Sequence, residues 1–165
     1  MDLLIILFIA LAAGVGHYLY FEFFIGDLEK AEQKELLRDR KGAMILYNKA
    51  VEKNSSNWKV YLQRGRFKAN AVKLKKDTGI EDLNKAISLN SKHPSTHCER
   101  ANLKYRLADF NGAITDYTKA INVAIKSKIL ICGDGEYDNV PYFTLAQAYA
   151  WRADAKAHLK DFEGA

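Results

Sequence analysis

The sequence predicts an all-α chain: an N-terminal transmembrane helix followed by a helix-turn-helix solenoid of about three and a half repeats. Three observations predict it. An uncharged, nearly all-apolar run occupies Leu3 to Phe21. Beyond it, small residues recur at a fixed interval, with Ala31 and Ala43, Ala101 and Ala113, and Ala153 and Ala165 each standing twelve apart. With 48% hydrophobic and 27% charged residues and only two prolines, the chain has the composition of a folded protein with few helix breakers.

The opening segment, MDLLIILFIALAAGVGHYLYFEFFIG, is expected to be an uncleaved membrane anchor over residues 1–26. A helical run of about 19 residues rises roughly 29 Å, close to the thickness of a bilayer core. A cleaved signal peptide needs a basic start and a shorter apolar stretch. Here the start is Met1-Asp2, and the run continues through Tyr18, Tyr20, Phe21, Phe23 and Phe24 as an interfacial aromatic belt. No Lys or Arg precedes Lys30, whereas Lys30, Lys34, Arg38, Arg40 and Lys41 follow closely. The positive-inside rule then puts the body of the chain in the cytoplasm and the N-terminus outside. A periplasmic or secreted protein with a cleaved signal is the competing reading.

The repeats are legible in the spacings. Ala101, Ala113, Tyr117 and Ala120 form one series, and Ala31, Ala43, Tyr47 and Ala50 repeat its intervals. Gly65, Gly79, Leu83 and Ala86 form another, with two extra residues in the turn. The period is 34 residues from Ala31 to Gly65, 36 to Ala101 and 52 to Ala153. A period near 34 with paired helical patterns indicates stacked helical hairpins. The repeats fall near 27–55, 58–93, 94–127 and 141–165, within a repeat domain of residues 27–165, and an inserted loop covers 128–140. The first helix of the first repeat, about 27–38, follows the anchor directly and is expected to be able to continue from it. In the third repeat, Asp109 or Asn111 is expected to cap the second helix and Phe110 to close the hairpin. Asp161 to Ala165 (DFEGA) replays that turn, and Pro94 and Pro141 suit the starts of first helices.

The segments "ERANLKYRLADFNGAITDYTKAI", "LQRGRFKAN…GIEDLNKAISLN", "DRKGAMILYNKAV" and "WRADAKAHLKDFEGA" carry a resemblance to tetratricopeptide repeats. The resemblance covers roughly residues 27–165. It implies a non-catalytic scaffold that binds a protein or peptide partner in a concave groove lined by the first helices. By the spacing from each small residue, the groove candidates are Lys59, Leu62, Arg66 and Ala69, then Cys98, Asn102 and Tyr105, then Asp154 and Ala157. Family members that clamp acidic chaperone tails use Asn at places that hold Gln63 and Glu99 here, which speaks against that ligand. Arg64, Arg100 and Arg152 each precede the small residue of their repeat and are expected to bridge neighbouring helices.

Catalytic chemistry finds no support. No nucleophile elbow, P-loop, dinucleotide fingerprint or HExxH motif occurs, so no enzyme activity and no cofactor is expected. Cys98 and Cys132 match no metal spacing and read as free thiols. Asp134, Glu136 and Asp138 miss the calcium-loop pattern, so no metal is expected. The formal charge of +5 comes from interleaved acids and bases, and no aromatic–basic module is visible, so nucleic acid is not an expected partner. The expected partners are a protein or peptide, and membrane lipid through the anchor. The alternative function is that of an accessory subunit in a large membrane complex.

Overall fold

The computed structural model describes residues 26–70, 78–128, 131–132 and 143–163. The anchor expected over residues 1–26 therefore lies, apart from Gly26, outside the described residues, as do Pro141 and most of the 128–140 insert. Among the described residues no helix is long and apolar enough to cross a membrane. Seven α-helices are described: α1 (Asp27–Leu36), α2 (Arg40–Lys53), α3 (Trp58–Asn70), α4 (Ile80–Leu89), α5 (Pro94–Arg106), α6 (Phe110–Ser127) and α7 (Leu145–Glu163). The chain divides into two compact units, residues 1–53 and 54–165.

In the first unit α1 and α2 form one hairpin. Ala31 on α1 and Ala43, Tyr47 and Ala50 on α2 are buried, so the small-residue spacing marks the contact face. The Tyr47 hydroxyl donates to Glu35 Oε2 at 2.9 Å, which lets a large ring be buried without an orphaned polar atom. Asp27 pairs with Lys53 at 2.6 Å and Lys49 at 3.5 Å, joining the start of α1 to the end of α2. Asp39 Oδ1 accepts from the Gly42 N–H at 2.9 Å and caps α2. One expectation fails here. Gly26 is extended (φ −64°, ψ 156°), so α1 starts afresh at Asp27 and is not a continuation of an upstream helix.

In the second unit α3–α4 and α5–α6 are successive hairpins, and α7 packs on α6. Gly65 and Gly79 mark the crossing of α3 and the start of α4. A Cβ on Gly79 would sit 2.3 Å from the Gly65 carbonyl oxygen, and Gly79 has φ +78°. Only glycine tolerates both the approach and the left-handed backbone. Leu62, Ala69, Leu83, Ala86 and Leu103 form one core cluster. Cys98, Ala101, Ala113, Tyr117, Ala120, Ile121, Ala124, Ala148 and Ala155 form the next, with Trp151 packed against it. Each fully buried Leu or Ile here contributes about 1.5–3 kcal/mol relative to exposure.

The local signals fall where the sequence places them in the third hairpin. Pro94 opens α5, and Asp109 Oδ1 accepts from the Gly112 N–H at 2.9 Å to cap α6. Cys98 is buried. One addition and one departure follow. Ile131–Cys132 and Phe143–Thr144 form a short antiparallel ladder, pairing Ile131 with Thr144 and Cys132 with Phe143, beside an architecture that is otherwise α-helical among the described residues. In addition, α7 runs through Asp161 to Glu163, where a turn was expected. The equivalent turns place Arg38 (φ 59°) and Ala108 (φ 61°) in the left-handed region, a conformation costing about 1–2 kcal/mol.

Candidate functional site

The first helices of the second unit, α3, α5 and α7, are bridged by polar side chains that form one continuous surface. Arg106 Nη1–H on α5 donates to Asn70 Oδ1 on α3 at 3.4 Å. Glu99 on α5 stands close enough to Arg66 on α3 and to Arg106 for both cations to act on its carboxyl. The Tyr105 hydroxyl on α5 donates to Asp154 Oδ2 on α7. Its ring meets Phe110 and His158 edge-on, with centroids 5.5 and 5.7 Å away, while Phe110 and His158 stack at 5.4 Å.

The electrostatics of this surface centre on Glu99. Burial pushes its carboxyl above the usual range, and Arg66, Arg106 and a hydrogen bond from Asn102 pull it only part of the way back. Arg66 is half-buried, and its Nε has no hydrogen-bond partner among the described residues. Asn102 Oδ1 also accepts from the buried Tyr117 hydroxyl at 2.7 Å. Burial raises the Tyr117 pKa further above its usual value, so that hydroxyl remains a donor. Hydrogen bonding to Asp154, with burial adding to it, likewise raises the Tyr105 phenol.

The nine sequence candidates therefore separate. Arg66, Asn102, Tyr105 and Asp154 lie on the bridged surface. Lys59 sits at the start of α3 beside Trp58, half-buried, with its backbone N–H held by Asn57 Oδ1 at 3.0 Å. Leu62 departs from the expectation: it is completely buried in the cluster with Ala69, Leu83 and Leu103. Ala69 and Cys98 are buried as well, while Ala157 is exposed. The physical reason is that Leu62 lies three residues before Gly65 and seven before Ala69, on the side of α3 that packs inward. Sequence reasoning missed Asn70, Arg106 and His158. The signal was available: each lies four residues beyond an identified candidate, Arg66, Asn102 and Asp154, and so on the same helix face.

The bridging arginines behave as the spacing suggests. Arg64 on α3 grips Asp82 on α4 through Nε–H at 3.0 Å and Nη2–H at 2.6 Å. Arg100 on α5 grips Asp116 on α6 at 2.8 and 2.7 Å and reaches Asn84 Oδ1 on α4 at 2.7 Å. Arg152 on α7 reaches Thr118 Oγ1 on α6 at 3.4 Å. Gln63, one of the two clamp positions, is buried.

No protein-family model matches the chain, and no curated protein matches it. Solved structures share its fold. The TPR domain of Arabidopsis OM64 superposes with a TM-score of 0.61 at 15% identity, over 80% of this chain and 93% of that one. The Sgt2 TPR domain of Aspergillus fumigatus superposes with a TM-score of 0.64 at 16% identity, over 84% and 80%. These likenesses identify the helical-hairpin array as the TPR fold.

Proposed function

We propose that this chain is a non-catalytic scaffold whose second unit receives a peptide segment of a partner protein along the surface bridged by α3, α5 and α7. The observation that carries the reading is that bridged line itself: Arg66, Asn70, Glu99, Asn102, Tyr105, Arg106 and Asp154, contributed by three successive first helices. Its mixed charges suit a peptide with both backbone and side-chain polar groups rather than a polyanion. Arg66 Nε, without a hydrogen-bond partner among the described residues, favours a ligand that supplies an acceptor, since a buried donor without one costs about 1–3 kcal/mol. The TPR fold of the solved structures supports the same use of the surface.

The apolar run before Asp27 supports a second element of the proposal: residues 1–26 anchor the scaffold in a membrane, with the repeats on the cytoplasmic side. Two measurements test the whole. A photoreactive side chain at exposed Arg106 should capture a defined partner, and one at exposed Ile125, on α6, should not. Equal capture from the two positions would refute the groove. Intact mass of the membrane fraction should show the whole N-terminus; its loss, or release of the protein by alkaline carbonate, would refute the anchor.

A further inference from the structure

The first and third hairpins turn in the same way. Leu37 and Leu107 each end a first helix, their N–H groups donating to Gln33 O at 3.0 Å and to Leu103 O at 3.1 Å. Arg38 and Ala108 take the left-handed step, at φ 59° and 61°. The Asp39 and Asp109 N–H groups then donate to Lys34 O and Lys104 O, at 2.8 and 2.9 Å. Both aspartates cap the second helix, accepting from Gly42 N–H and Gly112 N–H at 2.9 Å. The backbone therefore asks the same of both segments, but their side chains differ. Arg106-Leu107-Ala108-Asp109-Phe110-Asn111 in the third hairpin stands as Leu36-Leu37-Arg38-Asp39-Arg40-Lys41 in the first.

The first tip thus carries side chains that its turn does not require. Phe110 packs against Tyr105 and His158, whereas Arg40, in its place, is exposed. Leu36 is 82% exposed and Leu37 76%, against 45% for Leu107. Two adjacent leucines in water forgo the burial that stabilises Leu62, Leu83 and Leu103. Lys34, Arg38, Arg40 and Lys41 are exposed around them. The acids of this stretch are Glu35 and Asp39. Glu35 accepts from the Tyr47 hydroxyl at 2.9 Å, and Asp39 pairs with Lys34 at 3.2 Å besides capping α2. The tip therefore presents an apolar pair inside a positive rim. Glu29 and Gln33 continue the exposed line toward the start of α1.

We propose that the tip joining α1 and α2 docks on an anionic membrane surface. Leu36 and Leu37 enter the boundary between headgroups and acyl chains, and Lys34, Arg38, Arg40 and Lys41 meet the lipid phosphates and carboxylates. Two features select lipid as the occupant. Cations beside an apolar pair complement a leaflet that is negative outside and apolar beneath. A hairpin tip is also convex, so it penetrates a soft layer and offers no groove to a peptide. The inference rests on the membrane placement proposed above for residues 1–26 only for proximity. Helix α1 has 10 residues and rises roughly 15 Å, so a bilayer holding the segment before Asp27 lies within its reach. The groove of the second unit takes no part, and failure here would leave that reading standing.

The test places the full-length chain in nanodiscs of phosphatidylcholine alone, or of equal parts phosphatidylcholine and phosphatidylserine. Each disc contains a photoactivatable analogue of its own lipid, and adducts are located by peptide mass spectrometry. In the anionic discs, adducts should fall on residues 34–41 and not on 104–111, the matching tip of the third hairpin. A Lys or Arg near an anionic leaflet raises partitioning roughly fivefold, so Arg40→Gln with Lys41→Gln should lower tip labelling by at least that factor. Leu36→Gln with Leu37→Gln should lower it comparably. Both double variants change exposed side chains and should leave helicity unchanged by circular dichroism. Tip labelling equal in neutral and anionic discs, equal on the two tips, or unmoved by either double variant would overturn the proposal. Adducts on residues 3–21 report the anchor separately. Those adducts without tip adducts overturn this inference alone; tip adducts without them overturn the anchor alone; adducts at neither place overturn both.

Discussion

Replacing Asp116 by Asn should destabilise the folded chain by about 2–3 kcal/mol. The Asp116 side chain is 1% exposed and receives hydrogen bonds from Arg100 Nε and Nη2 at 2.8 and 2.7 Å, with Lys104 Nζ at 2.8 Å. Asparagine keeps one acceptor oxygen, removes the charge and points an amide at a cation. Breaking a fully buried charge pair typically costs about 3–5 kcal/mol. Arg100 and Lys104 keep 17% and 23% of their side-chain surface, so water compensates part of the loss and brings the expected cost down to about 2–3 kcal/mol. Urea unfolding at pH 7 should show a lower midpoint with an unchanged m-value. Burial pushes the Asp116 carboxyl up, but the two cations outweigh it and hold it below the ordinary 3.8. The stabilisation is therefore complete above the unfolded value and is lost as pH falls through the lower folded one. The wild-type and variant stabilities must converge at that acid end. A loss under about 0.5 kcal/mol, typical of an exposed pair, or curves that stay parallel into acid, would refute the assignment.

Two further perturbations separate the remaining assignments. Gly79→Ala should cost at least about 2 kcal/mol by chemical denaturation, because a left-handed backbone is combined with a Cβ that would sit 2.3 Å from the Gly65 carbonyl. A neutral result would mean that α3 and α4 separate easily. Glu99→Gln should stabilise the fold at pH 7, since burial raises the Glu99 carboxyl and its ionised form is the disfavoured one. The gain should shrink as pH falls through the raised folded value toward 4.5, where the native side chain also becomes neutral. Destabilisation by this change at pH 7 would show that Arg66 and Arg106 outweigh the desolvation.

The hairpin plan was legible because its signal is steric. Close-packed helices need small residues at their crossings, and Ala31, Ala43, Ala101 and Ala113 are all buried at the predicted interval. The cap at Asp109 and the placement of Pro94 were legible for a similar reason, since free amides at a helix start demand specific residues. Leu62 was misplaced because the spacing that brings polar residues to the groove also admits an apolar one, and burial then draws the helix side carrying it inward. The ion-pair partners Asp82 and Asp116 were not foreseen, although both stand three residues after a small position. Nothing in a single helix pattern says which cation will reach across. The β-ladder escaped notice because each of its strands is two residues long, too short for alternation to show. The turn expected at Asp161 carries the same Asp-Phe start as the turn at Asp109, yet α7 continues through Glu163.

Gly26 has a mechanical consequence. Its extended backbone stands immediately before α1, so the peptide planes of any preceding helix are not in register with those of Asp27–Leu36. A continuous helix would act as a shaft, turning the first hairpin whenever the upstream segment rotates. An extended glycine acts as a cord: it passes tension along the chain and leaves torque behind.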